Sequence, residues 1–65
     1  MINVRLLDPG TRVALSDGST VEVVSNPKDG IWLFARYLSS PRDVSLVGTE
    51  DMIFAQDVVE ISAAS

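Results

Sequence analysis

Apolar and polar residues alternate over short stretches of this chain, which is the pattern of β-strands that bury one face. Turn residues separate these stretches, and no longer window free of Gly or Pro shows the apolar spacing of an amphipathic helix. The pattern predicts strands at residues 2–7, 12–15, 20–25, 31–38, 52–55 and 58–61, and a short possible strand at 44–47. Val, Ile, Thr and the aromatic residues supply twenty of the 65 positions, which also favours an all-β chain.

Two hairpin turns and one short helical turn connect the predicted strands. Asp17-Gly18 lies between two alternating stretches, and both residue types tolerate the positive φ of a tight hairpin. Residues 26–30 predict a second hairpin, in which Pro27 favours a type I turn and Gly30 takes the left-handed position. Gln56-Asp57 is expected to form a single 3₁₀ turn before the last strand.

Three segments carry the turn and strand chemistry of a small barrel: Gly10-Thr11-Arg12-Val13-Ala14-Leu15, then Asp17-Gly18 with residues 20–24, and finally Phe54-Ala55-Gln56-Asp57-Val58-Val59-Glu60-Ile61. Through them the chain resembles the SH3-like small-barrel superfold. The resemblance implies a barrel of five to six strands with few exposed edges. Members of the superfold bind peptides, RNA or chromatin, or serve in ribosomes and as enzyme subunits, so the fold alone implies no activity. This sequence lacks the acidic-aromatic set and the paired Tyr and Pro positions of the proline-peptide-binding members.

The length of 65 residues leaves room for one small domain, predicted at residues 1–61, with a frayed tail at 62–65. A chain of this size buries only about 60% of the surface that its unfolded form exposes. Because the sequence has no Cys and no His, neither a disulfide nor a zinc site can reinforce this thin core. The same absence removes the Ser-His-Asp and Cys-His mechanisms, so we expect a non-catalytic protein without a cofactor.

The net charge of −4 opposes nonspecific attraction to nucleic-acid phosphates and to anionic membrane surfaces. The longest uninterrupted apolar run, residues 31–35, is far too short to span a bilayer, and the amino terminus does not have the pattern of a signal peptide. These observations predict a cytoplasmic protein.

The strand at 31–38 is apolar on both faces and holds three of the four aromatic residues. One face carries Ile31, Leu33, Ala35 and Tyr37, and the other carries Trp32, Phe34, Arg36 and Leu38. Either the strand bends and contributes to the core from both faces, or one face is open; the pattern does not decide whether Trp32 and Phe34 or Ile31 and Leu33 face the core. An open face of Trp, Phe and Arg has the composition of interface hot spots.

The leading hypothesis is therefore a non-catalytic protein-interaction module, acting as a homo-oligomer or as a small accessory subunit of a larger enzyme or assembly. Its predicted contact residues are Trp32, Phe34, Arg36, Tyr37 and Leu38. The alternative is an RNA- or DNA-binding barrel that stacks bases and contacts phosphates through Trp32, Arg36, Tyr37 and Arg42. Pairing of the two arginines with Asp29, Asp43 or Glu50 is the simpler interpretation of these charges.

Carboxylates at Asp43, Glu50, Asp51 and Asp57 have the oxygen chemistry of Mg²⁺ or Ca²⁺ ligands. Their spacing does not match the acidic loop of an EF-hand, and Asp and Glu are mostly exposed in folded proteins. We therefore interpret them as solvated turn residues and expect no metal site.

Overall fold

The computed structural model describes residues 4–63, with side chains described to residue 61. Five antiparallel strands form one sheet in the order β4-β3-β2-β1-β5. The strands are β1 (Arg12–Leu15), β2 (Thr20–Ser25), β3 (Trp32–Ser39), β4 (Glu50–Phe54) and β5 (Val58–Ala63), accompanied by the 3₁₀ turns η1 (Val4–Leu6), η2 (Val44–Leu46) and η3 (Ala55–Asp57). The all-β prediction is confirmed, and the sheet is consistent with a small β-barrel-like fold.

Both predicted hairpins are present, and each is closed by a glycine with positive φ. The type I turn expected from Pro27 is wrong, because Lys28 has φ of 66° where a type I turn has about −90°. Gly18 has φ of 90° in the β1–β2 turn, where the Asp17 carboxylate accepts a hydrogen bond from the Ser19 N–H at 2.9 Å. Gly30 has φ of 84° in the β2–β3 turn, where Asp29 accepts from the Ile31 N–H at 2.9 Å. The aspartates mimic a backbone turn through these bonds, which is why the turn residues could be read from the sequence.

The core lies on one face of the sheet and receives side chains from all five strands. Register shifts between β2 and β3 and between β1 and β5 bend the sheet around this core. Val4 and Leu7 close it from the amino-terminal side. The buried apolar strand residues are Val13, Leu15, Val21, Val23, Leu33, Ala35, Tyr37, Ile53 and Val58.

The strand predicted at residues 2–7 is wrong over the part that the structure describes, because residues 4–6 form the 3₁₀ turn η1. Val4 and Leu7, three positions apart, are buried, whereas Leu6 is 73% exposed. This spacing is that of a 3₁₀ turn and not the alternation of a strand. The side chain of Asn26 holds the turn against the β2–β3 loop by donating to the carbonyl oxygens of Val4 and Leu7, each at 2.8 Å.

The possible strand at 44–47 is also wrong, since Val44–Leu46 form the 3₁₀ turn η2. Asp43 caps this turn by accepting from the Ser45 N–H, and Val47 N–H donates to the Val44 carbonyl at 3.2 Å. The bounds of the other strands differ slightly from the predicted ones: β3 begins at Trp32, β4 begins at Glu50, and β5 extends to Ala63. The last strand thus takes in the first two residues of the predicted tail, and residues 64 and 65 lie outside the described part. The 3₁₀ turn expected at Gln56-Asp57 is confirmed as η3.

Candidate functional site

Strand β3 points three apolar side chains into the core and leaves the alternate positions on the outer face. Leu33 and Ala35 have no exposed surface, and Tyr37 is buried beside them. Trp32 is half-buried on the outer face, and Phe34 is 36% exposed there. The question that the sequence left open is answered by this alternation: Leu33 faces the core, and Trp32 and Phe34 face outward. Ile31 precedes the strand and is also exposed.

The neighbouring strand β4 extends the outer face with two further apolar side chains. Phe54 lies opposite Trp32, and Met52 lies opposite Phe34, in an unshifted antiparallel register. Side chains at directly opposed positions contact each other across the strands. Met52 and Phe54 remain 43% and 44% exposed. We call Trp32, Phe34, Met52 and Phe54 the outer patch.

Met52 and Phe54 were not among the predicted contact residues. Their alternation with the buried Ile53 was visible in the predicted strand at 52–55, and it would have found them if that strand had been placed beside the strand at 31–38. The sequence of neither strand by itself shows that the two strands, which are separated by a long loop, pair with each other.

An ion pair borders the outer patch at one end. The Arg36 guanidinium donates to Glu50 Oε2 at 2.8 Å across the β3–β4 pair, and both side chains are substantially exposed. Exposed pairs of this kind contribute only about 0.2–1 kcal/mol to stability. The pairing of Arg36 with Glu50 matches one of the partners expected from the sequence, and it leaves this end of the patch without net charge.

Four of the five predicted contact residues share the outer side of β3, and Tyr37 does not. Leu38 is half-buried beyond Arg36, toward the end of the strand. Tyr37 lies on the opposite face, in the core, between Ala35 and the strand end. It therefore does not belong to the surface that Trp32 and Phe34 form.

The edge of Tyr37 instead reaches a polar cleft of about 250 Å³, which Asp17, Arg42 and Asp57 also line and which the outer-patch residue Met52 borders. The Ser19 N–H lowers the pKa of Asp17, and Arg42, whose Nε lies 3.4 Å from Asp17 Oδ2, acts in the same direction. Burial raises the pKa of Tyr37, and the carboxylates of Asp17 and Asp51 raise it further. Of the charged residues that line the cleft, Asp17 and Arg42 pair with each other.

The residues of the nucleic-acid alternative do not form one surface. Trp32 lies on the outer face, Tyr37 in the core and Arg42 beside the cleft. Arg36 and Arg42 are paired with Glu50 and Asp17, and these carboxylates offset the positive charge that each guanidinium would offer to a phosphate. This separation gives the alternative no geometric support.

The four carboxylates considered as metal ligands are also dispersed. Asp43 accepts from the Ser45 hydroxyl at 2.6 Å, a bond that lowers the pKa of Asp43, while Glu50 binds Arg36. Asp51 accepts from the Met52 N–H at 2.7 Å. Within the described part of the chain, no three acidic side chains converge, and every buried side-chain nitrogen or oxygen has a hydrogen-bond partner.

No protein-family model, curated protein or solved structure matches this chain. Among residues 4–63, no helix is long and apolar enough to cross a membrane.

Proposed function

We propose that this chain is a non-catalytic protein-interaction module of SH3-like fold that binds a protein partner through the outer patch. The strongest support is that the outer patch is continuous across two paired strands and lies outside the buried core. It consists of Trp32, Phe34, Met52 and Phe54. Contiguous apolar surface on a small domain marks interaction sites more often than isolated exposed side chains do.

The composition of the outer patch fits protein recognition. Aromatic residues, Met and Arg are enriched in protein interfaces, and Trp carries a large share of the binding energy in many of them. The Arg36–Glu50 pair supplies a polar border to this apolar centre. A partner protein can cover such a surface without the phosphate contacts that the net charge of −4 opposes.

The available side chains support the proposal of a non-catalytic protein. The sequence offers no His or Cys, and the only Lys, Lys28, is exposed in the β2–β3 turn near Asp8. A serine in this chain therefore has no base of the usual kind to activate it. The polar cleft holds a Tyr whose raised pKa disfavours the ionised form at neutral pH.

The proposal is tested by placing a photoreactive benzoyl-phenylalanine at position 34 or 54 and irradiating the full chain in a lysate of its native host. Crosslinks to protein at both positions are expected. The matched control carries the same group at Val44, which is 79% exposed but lies on η2 and is not part of the outer patch. Equal crosslinking from all three positions, or crosslinks to nucleic acid that nuclease removes, would contradict the proposal.

A further inference from the structure

Strand β4 is an edge strand whose outer side has no partner strand among the described residues. It pairs with β3 from Glu50 to Phe54 without a register shift. Two hydrogen bonds just beyond its ends fix which backbone groups face β3: Tyr37 N–H donates to the Thr49 carbonyl at 2.9 Å, and Ala55 N–H donates to the Ile31 carbonyl at 2.8 Å.

In an antiparallel pair, the residues that bond to one neighbour alternate with those whose N–H and C=O point the other way. Since Thr49 and Ala55 bond toward β3, Glu50, Met52 and Phe54 direct their backbone groups away from it. An edge of this kind is a template for another strand. The side chains of the same residues lie on the outer face, beside Trp32 and Phe34.

This edge is self-complementary. The outward residues are symmetric about Met52, so a second β4 running antiparallel places Met52 opposite Met52 and Glu50 opposite Phe54 of the other copy. All the outward N–H and C=O groups of both strands then pair with each other. A twofold dimer requires the same surface on both subunits, and this register meets that requirement.

The charges are compatible with this register. The two Glu50 carboxylates stand about 14 Å apart in it, which exceeds the Debye length of about 8 Å at physiological ionic strength. Each Glu50 keeps its own Arg36 as an ion-pair partner, so its charge remains compensated in the dimer. On the twofold axis, Met52 lies opposite Met52 of the other copy.

The available area limits how tight the dimer can be. A standard interface buries about 800 Å² on each partner, which would be roughly a fifth of the 3994 Å² surface of this chain. The four partly exposed side chains of the outer patch supply only part of that. The backbone hydrogen bonds of a joined sheet supply the rest of the affinity, so the expected dissociation constant is micromolar, on the order of 10–100 μM.

We propose that two copies of this chain associate through antiparallel pairing of β4 with β4, centred on Met52, which joins their sheets and brings their outer patches together. This inference rests on the proposed function, since it names a second copy as the partner. Asp51 opposes the pairing, because its carboxylate accepts the Met52 N–H that the second strand needs.

Sedimentation equilibrium of the full chain tests the pairing. The wild-type chain is expected to dimerise, and Met52→Pro to be monomeric, because proline lacks the outward N–H while the bonds to β3 involve other residues. Met52→Lys, which places two ammonium groups together on the axis, is expected to weaken dimerisation about tenfold or more even if the proline variant folds poorly. Val44→Lys is the matched control and leaves the dissociation constant unchanged.

Asp51→Ala frees the Met52 N–H and is expected to tighten the dimer about threefold to tenfold. A monomeric wild-type chain over the whole accessible concentration range, a dimer unaffected by both Met52 variants, or an Asp51→Ala dimer no tighter than wild type would overturn the pairing. Crosslinking from positions 34 and 54 distinguishes the two proposals. If the purified chain does not crosslink to itself but does crosslink to other proteins in the lysate, the interaction module stands and the self-pairing fails.

Discussion

The side-chain amide of Asn26 donates a hydrogen bond to the carbonyl oxygen of Val4 at 2.8 Å, joining two residues 22 positions apart in the chain. The same amide donates to the Leu7 carbonyl, and its own oxygen accepts from the Lys28 N–H at 2.8 Å. One side chain thus fixes both the amino-terminal 3₁₀ turn and the β2–β3 turn. Val4 and Leu7 can cover the core because this turn is held in place.

Replacement of Asn26 is expected to destabilise the fold through these bonds. Asn26→Ala should lower the free energy of unfolding by about 1–3 kcal/mol, because two carbonyls lose their donors. Asn26→Asp keeps the acceptor for Lys28 but sets a carboxylate against the same carbonyls, so its cost should be at least as large. Urea denaturation measures both, and the exposed Gln56→Glu should stay within about 0.5 kcal/mol of wild type. A cost for Asn26→Asp as small as that of Gln56→Glu would show that the bonds contribute nothing.

Substitutions at two turn glycines distinguish the cost of a strained backbone conformation from the cost of steric crowding. Gly18 and Gly48 have nearly the same positive φ, 90° and 87°. A Cβ at Gly18 would stand 3.2 Å from Pro41 Cγ, whereas a Cβ at Gly48 would meet nothing within 4 Å. Gly48→Ala should cost about 1–2 kcal/mol from the left-handed conformation alone, and Gly18→Ala should cost more. Thermal or urea denaturation gives the order, and the reverse order would mean that the Pro41 loop yields to the methyl group.

Adjacent substitutions on β3 should have unequal costs for stability. Leu33→Ala removes a side chain with no exposed surface and is expected to cost about 2–5 kcal/mol. Phe34→Ala removes a partly exposed side chain and should cost about 1 kcal/mol, mainly through its cross-strand contact with Met52. The measurement is the unfolding free energy at a protein concentration where the chain is monomeric. Similar costs at both positions would place Phe34 in the core and remove the basis of the outer patch.

Tyr37 should make the fold sensitive to alkali. Its pKa is higher in the folded chain than in the unfolded one, so the folded state keeps its proton longer. The stabilisation is therefore complete below the ordinary Tyr pKa of about 10 and is lost as the pH rises toward the folded pKa. Because the chain has one Tyr, tyrosinate absorbance reports this group alone. Tyr37→Phe should reduce the decrease in unfolding temperature at alkaline pH, and the control Lys28→Gln should not. If the decrease is the same in Tyr37→Phe as in the wild type, another group causes it.

Asp17 should have the opposite effect at low pH. The Ser19 N–H holds the pKa of Asp17 below its ordinary value, so the folded chain binds fewer protons than the unfolded chain. Its contribution is present above about pH 4 and is lost as the pH falls through the folded pKa. Asp17→Asn should reduce the acid dependence of the unfolding temperature, and the exposed control Glu60→Gln should not. Equal acid dependence in the wild type and in Asp17→Asn would contradict this assignment.

Local chemistry made part of the fold readable from the sequence. The bounds of β1 and β2 were predicted as the structure has them, because Asp17 and Gly18 both determine the turn between those strands. The amino-terminal turn was mispredicted because its partner, Asn26, is distant in the chain and nothing near Val4 indicates it. The error at η2 had a local signal, since Asp43 caps the turn through Ser45.

The candidate site shows the same division. The alternation along β3 correctly predicts which residues share a face. Only the pairing of β3 with β2 and β4 shows which of the two faces packs against the core. Tyr37 was grouped with Leu33 by position and was still selected as a contact residue, because its residue type is common in interfaces. Its position was the better guide: the same alternation that buries Leu33 buries Tyr37.

The two-sided character of β3 has a consequence for how this protein tolerates mutation. Under the proposed function, substitutions at odd-numbered positions from Leu33 to Tyr37 are expected to change the abundance of the chain in a cell, and substitutions at even-numbered positions from Trp32 to Arg36 are expected mainly to change its association with a partner. A saturation library scored separately for abundance and for association should therefore show a period of two along this strand, with the two scores out of phase. Neighbouring residues of one short strand would then be under two different selection pressures, one for stability and one for association.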